Sequence, residues 1–151
     1  MKRLLIVIAV GFAIVAGAAW AYSGDDDARG PRHPNSAWAE PADYSYRVQY
    51  SIFGPGMGTY DITVRGHKVT AVERLPDPNW PDAESWVTVE NAWTLADLEA
   101  KYFQAKADSE SDATITYDAV TGAPSAIYLD WIVEAIDDEE SFQVLAFDPA
   151  A

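Results

Sequence analysis

The side chains best suited to chemistry in this sequence are carboxylates. Asp130 is followed seven and eight residues later by Asp137 and Asp138, with Glu139 and Glu140 adjoining. A Ca²⁺ ion takes roughly six to eight oxygens, largely from such side chains and from backbone carbonyls, so Asp130, Asp137 and Asp138 are the candidate cation ligands. The spacing departs from an EF-hand, which needs acids at alternate positions, a central Gly and a closing Glu. A solvated acidic turn accounts for the same residues and is the preferred reading. Paired carboxylates could also hydrolyse a glycosidic bond, but they must flank a substrate cleft, and a domain this small has little room for one. Asp25, Asp26 and Asp27 are adjacent charges in a polar stretch and read as solvated.

Other catalytic chemistries are short of residues. The chain has no Cys, which excludes disulfides, thiolate metal sites and a cysteine nucleophile. Of its two histidines, His33 falls in an irregular stretch and His67 at a hairpin tip, so neither is expected to act as a buried base or to join a ligand cluster. No G-x-S-x-G, H-E-x-x-H, P-loop or G-x-G-x-x-G occurs. Gly54, Gly56 and Gly58 are dense, yet they lie between two strand patterns and offer no helix N-terminus to a phosphate. Six Trp and eight Tyr could line a carbohydrate or peptide surface. The reading preferred is that Tyr44, Tyr46, Tyr50 and Tyr102 build the core. No catalytic residue and no cofactor is therefore expected, Ca²⁺ being the one cation considered.

Charge limits the partners. Ten Lys and Arg against twenty-four Asp and Glu give −14 over 151 residues, which argues against nucleic acid as a partner. The distribution is uneven: beyond Ala107 there are eleven acidic residues and no Lys or Arg, whereas Asp43 to Leu75 is close to neutral. A basic partner or a cation would be steered to the acidic half. Adaptation of the surface to high salt is the alternative, and the small number of Lys agrees with it.

The elements that must position these groups begin after an N-terminal signal. Lys2 and Arg3 precede an uncharged, mostly apolar run from Leu4 to Ala21, with Ala19 and Ala21 forming an A-x-A cleavage site. Residues 1–21 are expected to be a secretory signal peptide cut after Ala21. The alternative is an uncleaved anchor, since the run approaches the length that spans a bilayer. Either reading places the rest of the chain outside the cytoplasm, periplasmic or secreted, with the membrane reached only through residues 4–21. Residues 22–42, rich in Asp and Pro and without period, read as a flexible linker on which Trp38 packs back as a surface anchor.

Residues 43–148 read as one domain. Tyr44, Tyr46, Val48, Tyr50 and Ile52 alternate with polar residues, as do Tyr60, Ile62 and Val64, which predicts two half-buried strands. Gly66 supplies the positive φ of a tight hairpin into a third strand, Lys68 to Leu75. Pro76 to Pro81 ends it, and a short strand is considered at Trp86 to Val89. Thr94 and Asp97 form a capping box for a helix from about Leu95 to Ala107. Ala113, Ile115 and Tyr117 predict a fourth strand, Asp118 to Gly122 a turn, and Pro124 opens a fifth through Trp131. Asp137 to Glu140 reads as a turn before a last strand, Ser141 to Phe147. The sum is an α+β fold: an antiparallel sheet of five or six strands with one main helix packed on one face, in the order βββ-α-βββ.

The runs Y-S-Y-R-V-Q-Y (Tyr44 to Tyr50), I-T-V-R-G-H-K-V (Ile62 to Val69) and T-Y-D-A-V-T-G-A-P-S-A-I-Y-L-D-W-I-V-E-A-I-D-D-E (Thr116 to Glu139) carry a resemblance. Together they resemble the domain of unknown function 6174 family of exported bacterial proteins. Gly122, Pro124, Ile127 and Asp130 carry the most specific part, and Gly66, Gly122 and Pro124 are structural turn positions. The sequence departs from that pattern in having Ala123 where a Tyr is usual, and in lacking the cysteine pair many members carry. The resemblance implies export and an α+β domain, and no reaction. The expectation is a non-enzymatic binding domain whose partner is an envelope protein or a cation; the alternative is a Ca²⁺-binding or carboxylate-based hydrolytic protein.

Overall fold

A computed structural model of the chain describes residues 37–54, 56–79, 85–135 and 137–149. The signal pattern, Ala19, Ala21, His33 and the aspartates at 25–27 lie outside the described residues. The elements follow the alternation in the sequence. Strands β1 (Tyr44–Ile52), β2 (Gly58–Arg65) and β3 (Lys68–Arg74) precede helix α1 (Leu95–Ala107). Strands β4 (Asp112–Tyr117), β5 (Pro124–Asp130) and β6 (Glu139–Asp148) follow it.

The six strands form one antiparallel sheet in the order β3-β2-β1-β6-β5-β4. The first three strands build one half and the last three the other, and the central join is β1 against β6. In β1 the residues Tyr44, Tyr46, Val48 and Tyr50 are buried while Arg47 and Gln49 are exposed, so one face enters the core and the other stays polar. Tyr60, Ile62 and Val64 from β2, Ile127 and Leu129 from β5 and Phe142 from β6 extend the same core. The opposite face carries Ser45, Arg47, Asp61 and Thr114, with Arg47 and Asp61 paired across β1 and β2.

Helix α1 closes the core over β4 and β5. The Thr94 hydroxyl accepts from the Asp97 N–H at 3.1 Å and the Asp97 carboxylate accepts from the Thr94 N–H at 2.9 Å, which completes the capping box. Leu95, Leu98 and Ala105 point inward. Burying an aliphatic side chain of this size contributes roughly 1.5–3 kcal/mol, so Leu98 is one position whose loss would loosen the helix from the sheet.

Two tight turns set the strand register. Gly66 (φ 55°) and His67 (φ 60°) both occupy the left-handed region between β2 and β3, the conformation that two-residue hairpins require. Gly122 (φ 71°) closes the β4–β5 turn, with its N–H donating to the Asp118 carbonyl at 2.9 Å. A side chain there would be strained and would also approach the Trp38 ring at 3.7 Å.

The folded unit begins earlier than Asp43. Trp38 and Glu40 are buried, and the Ala42 carbonyl accepts from the His67 N–H at 3.0 Å. Residues 38–42 therefore belong to the domain rather than to a flexible linker. Residues 86–89 form no strand. The Asn91 side chain donates to the Trp86 carbonyl and accepts from the Thr88 N–H, and Ala92 N–H bonds to the Thr88 carbonyl, which turns the segment back. The acidic turn before β6 is also shorter than expected, because pairing resumes at Glu139 opposite Asp130.

Candidate functional site

Strand pairing brings the carboxylates into a row. Asp112 pairs with Asp130 across β4 and β5, and Asp130 pairs with Glu139 across β5 and β6. Like charges directly opposite one another are destabilising. Burial first, then the charges of Asp138, Glu139 and Asp112, raise the Asp130 carboxyl above the ordinary aspartate range. Asp130 Oδ1 and both carboxylate oxygens of Asp138 are closed off from solvent without a hydrogen-bond partner. Asp137 stands apart from them: it is exposed and adopts a φ of 78°. Asp130 and Asp138 are thus brought together and Asp137 is not. Among the described residues no group of three or more His, Asp or Glu converges as metal ligands.

A second constellation was invisible in the sequence. Glu40, only 1% exposed, lies at the start of α1. Its Oε1 accepts from the Tyr44 hydroxyl at 2.6 Å and from the Ala96 N–H at 3.0 Å, while Oε2 stands 3.3 Å from His67 Nδ1. Tyr44 in turn accepts from the Leu95 N–H at 2.8 Å. A carboxylate here satisfies helix N–H groups that have no partner within the helix and lies at the positive end of its dipole. Burial, then the Glu40 charge, hold the Tyr44 hydroxyl well above the usual tyrosine range, so it remains a neutral donor. Burial, then Asp97 and Glu40, do the same for Tyr46, whose hydroxyl donates to the Trp93 carbonyl at 2.6 Å.

His67 lies at the hairpin tip, and its ring faces the buried Glu40 carboxylate. A Glu–His contact is the orienting half of an acid–base pair. The other half is missing, because among the described residues no hydroxyl hydrogen-bonds to the His67 ring. The Gly66 N–H donates to Asp43 at 3.0 Å, so side chain and backbone together clasp this hairpin to residues 40–43. The geometry is that of a tie between α1, the β2–β3 hairpin and the first residues of the domain.

Other polar groups are used in the same way. Tyr117 donates to the buried Glu99 at 2.8 Å, tying β4 to α1. Lys101 Nζ lies 3.0 Å from Glu140 and 5.8 Å from the ring centroids of Trp93, Trp131 and Phe142. Trp131 Nε1 donates to the other Glu140 oxygen at 3.2 Å. Tyr50, Trp93 and Phe142 pack ring against ring within 5.0 Å between centroids. Lys101 thus fills an aromatic box of the protein's own making.

An open cleft of about 200 Å³ lies where β5 and β6 part, lined by Asp118, Thr121, Pro124, Ser125 and Leu145 among others. Pairing of these strands stops at Ala126 and Gln143, and Pro124 has no N–H with which to continue it. The Asp118 carboxylate there accepts from the Thr121 N–H, then from the Thr121 hydroxyl and the Val120 N–H, which hold it below the usual range. It is the acid of an Asx-type turn. Asp130 and Asp138 lie at the other end of β5, outside this cleft.

The remaining feature is apolar. Phe53 (74% exposed), Met57, Trp86 (59%), Ile132 and Val133 are large side chains facing solvent. Phe53 and Met57 belong to the β1–β2 loop, and the Trp86 Cβ lies 3.8 Å from the position a Cβ would take on Gly56 of that loop. Because Ile52 pairs with Glu140 and Asp130 with Glu139, the exit of β1, the entry of β6 and the exit of β5 share one end of the sheet. No helix among the described residues is long and apolar enough to cross a membrane.

Neither curated proteins nor solved structures gave a match to this chain. A family model does match, over residues 36–149, and its start agrees with the burial of Trp38 and Glu40 rather than with a boundary at Asp43. The chain belongs to the family of unknown function DUF6174.

Proposed function

We propose that this protein is an exported, non-enzymatic interaction domain. The observation that carries the reading is a division of labour. The buried carboxylates that could do acid–base chemistry, Glu40 facing His67 and Glu99 facing Tyr117, are engaged as ties between elements. Five of the exposed large apolar groups, Phe53, Met57, Trp86, Ile132 and Val133, gather at one end of the sheet, while Tyr117, Val120 and Leu145 are exposed toward the other. Export rests on Lys2, Arg3, the apolar run and the Ala19 and Ala21 pair. The test is retention of a saturable partner by residues 22–151 from the protein's own envelope fraction, with mass spectrometry of the native N-terminus. A mature chain starting at Tyr22 and competition by free domain support the reading. A chain retaining Met1 with the protein in the cytosol, or no retained partner, contradicts it.

One observation favours a second reading, a bound cation. Asp130 Oδ1 and the two Asp138 oxygens lack partners, and a cation would supply them. A ligand that binds only the folded state raises the melting midpoint. A rise in Tm with millimolar Ca²⁺, abolished by Asp138→Asn, supports this reading, and an unchanged Tm rejects it.

A further inference from the structure

We infer that the end of the sheet carrying Phe53 and Ile132 receives an apolar–basic–apolar segment of a partner protein; this rests on the interaction reading above and names its surface and the chemistry of its partner. Across that end the order is apolar, acidic, apolar. Phe53, Met57 and Trp86 stand at the exit of β1, Asp137 and Glu139 lead into β6, and Ile132 and Val133 follow β5. Aromatic residues and Met are enriched at interface centres, whereas large apolar groups gathered in the open are uncommon on a monomer.

Charge selects the occupant. Residues 130–140 carry Asp130, Glu134, Asp137, Asp138, Glu139 and Glu140 with no Lys or Arg. Of the cations at this end, Lys101 is already paired with Glu140, and the Arg74 guanidinium stands beside Gly58 on the β2–β3 side, two strands from β6. A second copy docked here would bring two acidic rims together, and an anionic bilayer would be repelled in the same way. A cationic segment is attracted. Geometry adds the spacing. The exits of β1 and β5 flank β6, so at about 4.8 Å per strand the two apolar flanks are about 10 Å apart. Side chains of an extended segment alternate between its faces, so the two apolar residues must stand an even number apart: i and i+4, about 13 Å, reach the two flanks with a basic residue at i+2 facing the acidic strand between them.

The test uses ¹⁵N-labelled protein and three blocked peptides, ALKKKLA, its charge-reversed form ALEEELA, and ASKKKSA, which lacks the apolar ends. ALKKKLA should give saturable shifts confined to the amides of Phe53, Met57, Trp86, Ile132, Val133 and their neighbours. The two controls should bind at least about fivefold more weakly, and added salt should weaken ALKKKLA. Phe53→Ser with Ile132→Ser should abolish the shifts while leaving Tm nearly unchanged, because both side chains are exposed. Shifts that map elsewhere, equal binding of ALEEELA, or no saturable shift at millimolar peptide would overturn the inference. If the double variant still retains the envelope partner, the interaction reading stands and this surface is wrong; if the wild type retains none, the interaction reading itself fails.

Discussion

Replacing Glu40 by Ala tests whether the carboxylate at the start of α1 is a structural tie. The substitution removes the acceptor of the Tyr44 hydroxyl at 2.6 Å and of the Ala96 N–H at 3.0 Å, and the partner facing His67 at 3.3 Å. A buried donor left without a partner costs about 1–3 kcal/mol; the Tyr44 hydroxyl becomes one, and the part-buried Ala96 N–H loses its acceptor as well. Loss of the negative charge at the helix N-terminus adds about 0.3–1 kcal/mol. Partial relaxation and water entry reduce the sum, so the expected loss is about 3 kcal/mol. For a domain of this size that lowers Tm by roughly 12–24 °C. Thermal melts followed by circular dichroism measure it, and urea unfolding supplies the free energy. Glu40→Gln keeps an acceptor and should lose about half as much. Tyr44→Phe combined with Glu40→Ala should be less than additive, because the two share one network. A loss below about 0.5 kcal/mol for Glu40→Ala would refute the tie and would make the Glu40–His67 contact a functional one.

Other perturbations separate the remaining groups. Asp130 has a raised carboxyl pKa in the fold, so the native state holds its proton more tightly than the unfolded chain does. Its ionisation therefore destabilises the protein as pH rises above the ordinary aspartate range. Asp130→Asn should raise Tm at pH 7, with the gain vanishing as the pH falls below that range; a fall in Tm at pH 7 would show that the ionised group has a favourable partner. Thr94→Ala removes the helix cap and should cost about 1 kcal/mol by urea unfolding. Lys101→Met keeps the stem against Trp93 and Trp131 but removes the cation, and should cost about 1–2 kcal/mol, with near-ultraviolet circular dichroism reporting the change around the tryptophans. Arg47→Ala breaks a pair held by two 2.7 Å bonds, but both side chains are substantially exposed, so no resolvable change in the unfolding midpoint is expected by the same assay.

The sheet was legible because its information is local. Tyr44 to Ile52 alternates strictly, Gly66 sits where a positive φ is required, and Thr94 with Asp97 marks the start of α1 within one turn. Trp86 to Val89 has strand-forming residues, yet Asn91 captures its backbone groups, a tertiary choice that propensity does not contain. Glu40 was hidden for a related reason. It lies in a Pro-containing stretch without period, and its partners are 4, 27 and 56 residues away. The neighbouring Trp38 was the signal available, since a large apolar side chain at the edge of a polar stretch is often where the fold begins. The acidic residues were visible as a run, but register decided which of them meet: β4–β5 and β5–β6 pairing set Asp130 beside Asp112 and Glu139, while the φ of Asp137 separates it.

If the protein works through the end of the sheet that carries Phe53, that position lies within reach of its partner. A photo-activatable phenylalanine analogue placed at position 53 of the full chain, in its native cells, reads this directly. Val120, 93% exposed on the β4–β5 turn at the opposite end, is the control position. Position 53 should give a discrete cross-linked partner that is absent from position 120 and lost when Ile132 is also replaced by Ser. No adduct from position 53, or the same adduct from both positions, would contradict it.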